Sequence, residues 1–535
     1  MQLAPSGQVG FRTFLGLAAV LLTQLPWVPS TNFGGYDEWF ILELNSRWLV
    51  SVPYAYRPLG LIFTVPAALL VSHLGFAAFT LLYAVYALLS AALVYWLVRR
   101  LAPERPLLAL LSGFFVLVWA PNDTARLDTV VRASYQGSTF GALLAIAMLV
   151  QAWRRQSLSL MALSVLLAFA GVRCYEGVAA LLLGAPALLL LTEPRTSRLW
   201  RWMLVWEAVI CLALAFLALE MLAHPWQYTY QLTFVRPDPD PRAWFTRMLW
   251  QYSYHLLPLV TPAWDDVLTP AVAMAVAVFV VTLVLVRSRS PAPQATGSRP
   301  LLIATGFGTV LAGLGYSVVL VGVRVPTAYR LQFLSGPGIA LFLAAAVLLV
   351  ASWLHGRARL AATTLLAGWV VAVGTSRTLA MQRALDEQTY YPRQVRQLSG
   401  LERVVTDVLP HTLIVLLDDG RAWPPAGIGF HHAVQYLYER RAAGWLPGRV
   451  DAPYPTTSGP EGILVDPWPI VRMAWNAPRT LYRYDELIAV RHTKGGDVVL
   501  LEAWPPELPP LPPGAVYEPR TRLASGPLAR SAILR

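Results

Sequence analysis

The feature that most constrains this chain is a succession of eleven apolar runs of near-membrane length that stops near Ser376, after which charged residues of both signs recur every few positions. Taken at ~20 residues per crossing, the runs lie near 11–29, 76–98, 106–121, 137–153, 157–172, 176–192, 201–223, 267–286, 301–322, 334–354 and 359–376. Composition agrees with this pattern. Of 535 residues, 56% are hydrophobic and 13% charged, and the mean hydropathy is +0.51, outside the range of ordinary soluble proteins. The sequence predicts a polytopic α-helical membrane body over 1–380 and a small soluble α/β domain over 381–535, an ordinary domain size.

Two places decide how the runs are threaded. As one helix, the 36 residues of Ser157–Thr192 would be ~54 Å long against a ~30 Å hydrocarbon core. The stretch must turn, and its only charged break is Arg173-Cys174-Tyr175-Glu176-Gly177. The second place is Leu59–Val71, 13 apolar residues interrupted by Pro66. Leaving this segment out of the crossings gathers fourteen arginines, from Arg12 through Arg105 and Arg154 to Arg359, on one side with only Glu104 and Glu193 against them. That is the positive-inside pattern. Leu59–Val71 then reads as a juxtamembrane helix at the outer interface, and both Asp37-Glu38 and everything after Ser376 face outward. The first run ends Leu25-Pro26-Trp27-Val28-Pro29-Ser30, without a small-x-small cleavage site, and reads as a retained span.

The net charge of +12 comes almost wholly from arginine, Lys494 being the only lysine, and its excess sits in short loops between spans. Orientation in a membrane explains it, and no nucleic-acid partner is implied. Two cysteines, Cys174 and Cys211, exclude a disulfide framework and a CxxC metal site. Gly306, Gly308, Gly313 and Gly315 are small residues that let neighbouring helices approach. Arg236–Pro241 reads as an extended loop and Ser288–Ser298 as a flexible linker. Beyond Met381, strands are expected at Thr412–Leu417 and Glu486–Arg491, a helix at Phe430–Arg441, and a hairpin pairing Leu487–Arg491 with Asp497–Leu501. The adjacent His431-His432 cannot both face one ligand from a helix and read as surface or core residues.

Chemistry is expected at the outer face. Its loops gather Asp37, Glu38, Arg57, Asp123, Arg126, Asp128, Arg132, Arg173, Glu176, Arg324 and Arg330, a rim of carboxylates and guanidiniums. Glycosyl transfer from a lipid phosphate needs a carboxylate to take the acceptor's proton and cations to stabilise the leaving phosphate. Arginine binds phosphate oxygens through its fork and stays charged. Structural readings compete at each position. Asp37-Glu38 also suits the cap and first turn of an amphipathic helix running to Leu49, Asp128 a helical pairing with Arg132, Arg57 snorkelling to headgroups, and Arg324 and Arg330 interfacial anchoring.

Asp37-Glu38 after the first span, Arg57-Pro58 opening a short apolar helix, Arg126-Leu127-Asp128 after the third span, and Tyr329 with Pro337 entering the tenth resemble glycosyltransferases of the GT-C fold. The nearest branch is that of the protein O-mannosyltransferases and aminoarabinose transferases. The resemblance covers about residues 1–380 and rests on the combination of these elements. It implies a polyprenyl-phosphate sugar donor bound at the outer face, Asp37 as catalytic base with Glu38 beside it, Asp128 as a second acidic residue orienting acceptor or base, and Arg57 at the donor phosphate. Arg126, Arg173 and Arg330 complete the expected phosphate contacts. The chain departs from the family pattern where Leu59 replaces a second proline and where Arg173–Gly177 stands for a lysine-glycine-proline turn. Some members of the wider fold pair acids with a divalent ion, for which Asp37, Glu38 and Asp128 offer oxygen ligands; the branch resemblance argues for no required cofactor. The acceptor is a hydroxyl on a lipid, glycan or protein, and the setting a bacterial plasma membrane. A transporter or lipid flippase is the rival reading, although such proteins place ionisable groups near mid-membrane and break helices in related halves.

Overall fold

The computed structural model describes residues 10–23, 38–45, 58–74, 76–122, 133–223, 239–288, 297–321, 332–388, 391–423, 428–448, 454–469, 472, 477–526 and 534. They gather into two compact units. The first takes its described residues from Met1–Ser30, Leu81–Leu127 and Ser134–Gln382, the second from Thr31–Thr80, Asp128–Ala133 and Arg383–Arg535.

The first unit is helical. Among the described residues six helices are long and apolar enough to cross a membrane: Ala84–Leu101, Tyr135–Arg155, Ser197–Ala223, Arg299–Ser317, Gln332–Ser352 and Gly356–Ala384. Five shorter apolar helices, Phe11–Leu22, Pro106–Val118, Leu158–Cys174, Glu176–Thr192 and Pro270–Val284, lie on the remaining expected runs. They fall short of the ~20 residues of a full crossing. Eleven crossings are therefore not shown; six helices of membrane length are.

Local chemistry sets several boundaries. Ser157 accepts a hydrogen bond from the Leu160 N–H at 3.3 Å and starts the Leu158–Cys174 helix. The chain then reverses through a 3₁₀ turn at Glu176–Val178, at the charged break the sequence points to. The Arg299–Val321 and Gln332–Ser352 helices meet backbone to backbone. A Cβ on Gly308 would stand 2.7 Å from the Phe342 nitrogen, and one on Gly315 2.6 Å from the Ser335 Cα. Gly306 faces open space and Gly313 the Tyr252 hydroxyl, so two of the four glycines serve this close approach. An element beyond the sequence expectation is the Pro241–Leu256 helix, which Asp240 caps by accepting from the Arg242 N–H at 2.9 Å.

The second unit is built on a four-stranded sheet in the order β2-β1-β6-β7, with β1 (Thr412–Asp418), β2 (Ala442–Trp445), β6 (Leu487–His492) and β7 (Val498–Leu500). β1 runs parallel to β2 and to β6, and β6 and β7 form the expected hairpin, Arg491 opposite Val499. The first six residues of β1 are buried, as a central parallel strand covered on both faces must be. Leu413, Val415 and Leu417 pack on Ile463, Val465 and Tyr482. Those residues belong to a second, antiparallel sheet, β3 (Thr456–Gly459), β4 (Gly462–Val465) and β5 (Thr480–Tyr482), which the polar run Thr-Thr-Ser-Gly conceals in the sequence. On the other face Gly444, register partner of Ile414, admits Phe430 of the Ile428–Leu437 helix. That helix stops short of Arg441 because Glu439 and Arg440 take left-handed φ values of 51° and 63°, and the Arg440 N–H closes back on the Gln435 carbonyl at 2.8 Å.

Glu38–Asn45 and Leu61–Leu74 are also helices of the second unit. The former packs on the Ile428–Leu437 helix. Its Trp39, Leu42 and Glu43 side chains are fully buried, the spacing of one helical face.

Candidate functional site

Asp37, Arg57, Arg126, Asp128 and Arg330 lie outside the described residues. Glu38 is the first residue of the Glu38–Asn45 helix. Arg173 is described, in the first unit.

Arg173 is buried at the end of the Leu158–Cys174 helix, and its Nη2 donates to both carboxylate oxygens of Glu220 at 2.7 Å. Its Nη1 is buried without a hydrogen-bond partner. Glu220 engages Nη2, so Nη1 is the part of the fork left for another oxygen. At this end of the unit Tyr135, Tyr175 and Phe333 cluster with ring centroids 4.8 to 5.8 Å apart. The Asn122 amide donates to the Tyr254 carbonyl at 2.6 Å, and its backbone N–H to Gln332 Oε1 at 3.1 Å. His255 Nδ1 and the Tyr316 hydroxyl share a hydrogen bond of 2.5 Å. Aromatic, amide and guanidinium groups thus collect where the sequence expects the outer face.

A cavity of about 260 Å³ opens at the opposite end of the same unit, lined by Leu97, Leu101, Arg105, Leu188, Ile303 and Phe307 among others. There Arg105 donates to the Gly297 carbonyl at 2.6 Å and Arg154 pairs with Glu193 at 3.5 Å. The cavity contains none of the candidate residues, and its one lining arginine, Arg105, belongs to the side expected inside.

In the second unit the Glu38–Asn45 helix carries a buried ionic cluster. Glu43 Oε1 accepts from Arg440 Nε at 2.5 Å and Oε2 from Arg440 Nη2 at 3.3 Å. His432 Nδ1 stands 3.6 Å from Oε2, within reach of the charge and beyond a normal hydrogen bond. The other ring nitrogen, Nε2, is 2.9 Å from the Tyr454 hydroxyl. Burial pushes the Glu43 carboxyl up, but the approach of His432 and Arg440 outweighs it and holds the pKa at about 2. Around this cluster Trp39 Nε1 donates to Gln394 Oε1 at 3.1 Å, the Trp39 ring lies 6.4 Å from those of Trp423 and Tyr436, and Phe40 lies 5.1 Å from His432. His431 stacks on Tyr454 at 4.0 Å, and burial lowers its pKa to about 3. Both histidines are core residues.

A second buried pair closes the C-terminal ends of β1 and β6. Asp418 Oδ1 meets His492 Nδ1 at 2.8 Å, while the Asp418 oxygens accept from the Ala422 and Trp423 N–H groups at 3.0 and 3.1 Å. Its acceptors are committed to the loop that follows β1. Among the described residues no group of three or more His, Cys, Asp or Glu is placed to hold a metal ion.

Glu43, Arg440, Tyr454 and Glu220 escape a reading by sequence. A carboxylate on the apolar side of Trp39-Phe40-Leu42 was the available signal for Glu43, and an acid in the apolar run before Met221 for Glu220. Arg440 and Tyr454 carry no local signal.

No protein-family model matches this chain, and no curated protein does. Among solved structures it is similar to the archaeal oligosaccharyltransferase AglB from Archaeoglobus fulgidus in complex with an inhibitory peptide and a dolichol-phosphate, at 14% identity and a TM-score of 0.38, covering 82% of this chain and 65% of that one. The Archaeoglobus fulgidus enzyme in its apo form gives 12% identity and a TM-score of 0.39, over 83% of this chain and 65% of that one. Its complex with Zn and sulfate gives 14% and 0.30, over 82% and 62%. The chain spans less than two thirds of the length of these structures, and at such TM-scores the likeness carries no argument about it.

Proposed function

We propose that this chain is an integral membrane glycosyltransferase of GT-C type that moves a sugar from a polyprenyl phosphate to an acceptor hydroxyl at the extracytoplasmic face of a plasma membrane. Residues 1–380 form the membrane body and 381–535 an outward-facing domain. Asp37 takes the proton from the acceptor hydroxyl, the hydroxyl oxygen attacks the anomeric carbon, and the carbon–oxygen bond to the phosphate breaks with its electron pair leaving on the lipid phosphate. Arg57, Arg126, Arg173 and Arg330 stabilise that departing charge, and Asp128 orients acceptor or base. Direct displacement inverts the anomeric configuration.

The observation that carries this reading is the seat of the helix that begins one residue after Asp37. A helix that only skimmed the membrane surface would turn its apolar side to lipid; this one buries Trp39, Leu42 and Glu43 in protein. A catalytic carboxylate needs a fixed place, and Asp37 adjoins the anchored helix in sequence.

The test is sugar transfer and donor hydrolysis by the purified protein in nanodiscs with a panel of radiolabelled polyprenyl-phosphate sugars, with and without EDTA, wild type against Asp37→Asn. Turnover of one donor, lost in the variant, is expected. A fully active Asp37→Asn protein would remove the assignment of the base. Neither turnover nor donor binding by folded protein would transfer the reading to a transporter or lipid flippase.

A further inference from the structure

We infer that Glu43 and Arg440 are positioning residues of the transfer reaction: through their ion pair the C-terminal segment holds in place the Glu38–Asn45 helix, which follows Asp37 directly in sequence. The inference rests on the reading of Asp37 as base, and three features of the second unit lead to it.

The first is distance along the chain. Glu43 and Arg440 are 397 positions apart and meet at 2.5 Å, so the pair joins the segment after the first apolar run to the segment after the last. Asp37 precedes Glu43 by six residues in sequence, and the described helix begins at the next residue, Glu38. Whatever fixes Glu43 fixes the start of this helix too.

The second is the backbone at Arg440. A helix commonly ends on a left-handed residue, and glycine is the residue that adopts that conformation without steric cost. Here two consecutive non-glycine residues, Glu439 and Arg440, take it. Such strain persists where the surroundings enforce it and recurs near functional sites. What this chain gains over glycine at 440 is a guanidinium that reaches Glu43 with two nitrogens.

The third is redundancy of support. Trp39 is bonded to Gln394 and surrounded by Trp423 and Tyr436, and Phe40 by His432, so the apolar face already buries the helix. An ion pair adds little net stability to a helix already buried. It adds direction, because a two-pronged guanidinium–carboxylate contact fixes rotation and register as packed rings do not.

The experiment uses the full-length protein in nanodiscs and two readouts. Hydrogen–deuterium exchange follows the amides of Glu38–Asn45, and steady-state transfer gives kcat and KM for the donor, in wild type, Arg440→Gln, Arg440→Lys and Glu43→Gln. Exchange of Glu38–Asn45 is expected to rise at least tenfold in Arg440→Gln while β1 and β6 stay protected, with kcat down at least tenfold, donor KM within twofold, and partial rescue in Arg440→Lys. An ångström of misplacement is worth about a hundredfold in rate. Should an Arg440 variant lose protection in β1 as well, Glu43→Gln, which keeps an acceptor oxygen and drops the charge, takes its place with the same expectations for exchange, kcat and KM. Unchanged exchange at Glu38–Asn45 would overturn the tether. Faster exchange with unchanged kcat would overturn the positioning role. A wild-type protein without transfer activity would overturn the proposed function instead, and the exchange readout would then decide the tether by itself.

Discussion

Buried Glu43 and half-buried Arg440 form an ion pair 2.5 Å long between a helix near the start of the chain and the turn that ends the Ile428–Leu437 helix. Its energetics give a first prediction. Removing Arg440 strands the fully buried Glu43 carboxylate, at a cost of up to about 3–5 kcal/mol. Arg440→Gln should lower the thermal stability of the purified protein accordingly. Glu43→Gln/Arg440→Gln, which strands no charge, should lose less than Arg440→Gln alone. Equal or greater loss in the double variant, measured by thermal unfolding in one detergent, would show that the pair is not energetically coupled.

Acid should loosen the second unit in two steps. His431 has its pKa lowered by burial from 6.5 to about 3, so the unfolded chain binds a proton below pH 6.5 that the folded chain refuses. The stability it contributes is whole above pH 6.5 and is lost as pH falls toward 3, about 5 kcal/mol at the lower limit. Glu43 is held at about 2 against an ordinary 4.5. Its contribution is whole above pH 4.5 and is lost as pH falls toward 2, about 3 kcal/mol. Amide exchange in β1, followed from pH 8 to pH 4, should accelerate beyond its intrinsic pH dependence from about pH 6.5 downward. His431→Phe should abolish that upper limb. A profile flat to pH 4.5 in wild type would contradict the burial of His431 as a neutral ring.

What the sequence discloses of this fold follows from the range of each interaction. Hydrophobic runs and their breaks are local, so the helices on either side of Arg173–Gly177, the Leu61–Leu74 helix and the β6–β7 hairpin can be read within one or two dozen residues. Gly308 and Gly315 announce close packing, although nothing in the sequence distinguishes them from Gly306. The β3–β5 sheet is hidden because its strands are only 3 or 4 residues long and partly polar. The Pro241–Leu256 helix carried a legible start, Asp240 before Pro241, but no membrane-length run to draw attention to it. The candidate site divides the same way. Acids and arginines can be listed from sequence, whereas the neutralisation of Arg173 by Glu220 and the docking of Glu43 on Arg440 span 47 and 397 positions and belong to the tertiary structure.

The contact between the Arg299–Val321 and Gln332–Ser352 helices should tolerate no side chain at Gly308. An alanine Cβ there would lie 2.7 Å from the Phe342 nitrogen and 2.8 Å from the Gly338 carbonyl oxygen, both backbone atoms that cannot rotate away. Gly308→Ala should therefore force the helices apart and cost about 1–3 kcal/mol, as overpacking does. Gly306→Ala meets nothing within 4 Å and should be neutral or gain about 0.5–1 kcal/mol from helix propensity. Thermal unfolding of the two variants in one detergent tests the contrast, and equal midpoints would refute it.

Arg173 and Glu220 pose the sharpest question for the proposed reaction, since a guanidinium already bonded to a carboxylate is a poor phosphate ligand until that carboxylate yields. If the donor phosphate binds Arg173, it does so through the buried Nη1 or by displacing Glu220, whose side chain is 39% exposed. Both routes give opposite signs for the two variants. Arg173→Ala should raise the donor KM about tenfold, the value of one charge-assisted contact. Glu220→Gln should lower it severalfold by removing the competitor. A purely structural pair predicts the reverse pattern, with both variants losing thermal stability and neither changing KM. Measuring KM and unfolding midpoint on the same preparations separates the alternatives, because a competing carboxylate must improve donor binding when neutralised and a bracing carboxylate cannot.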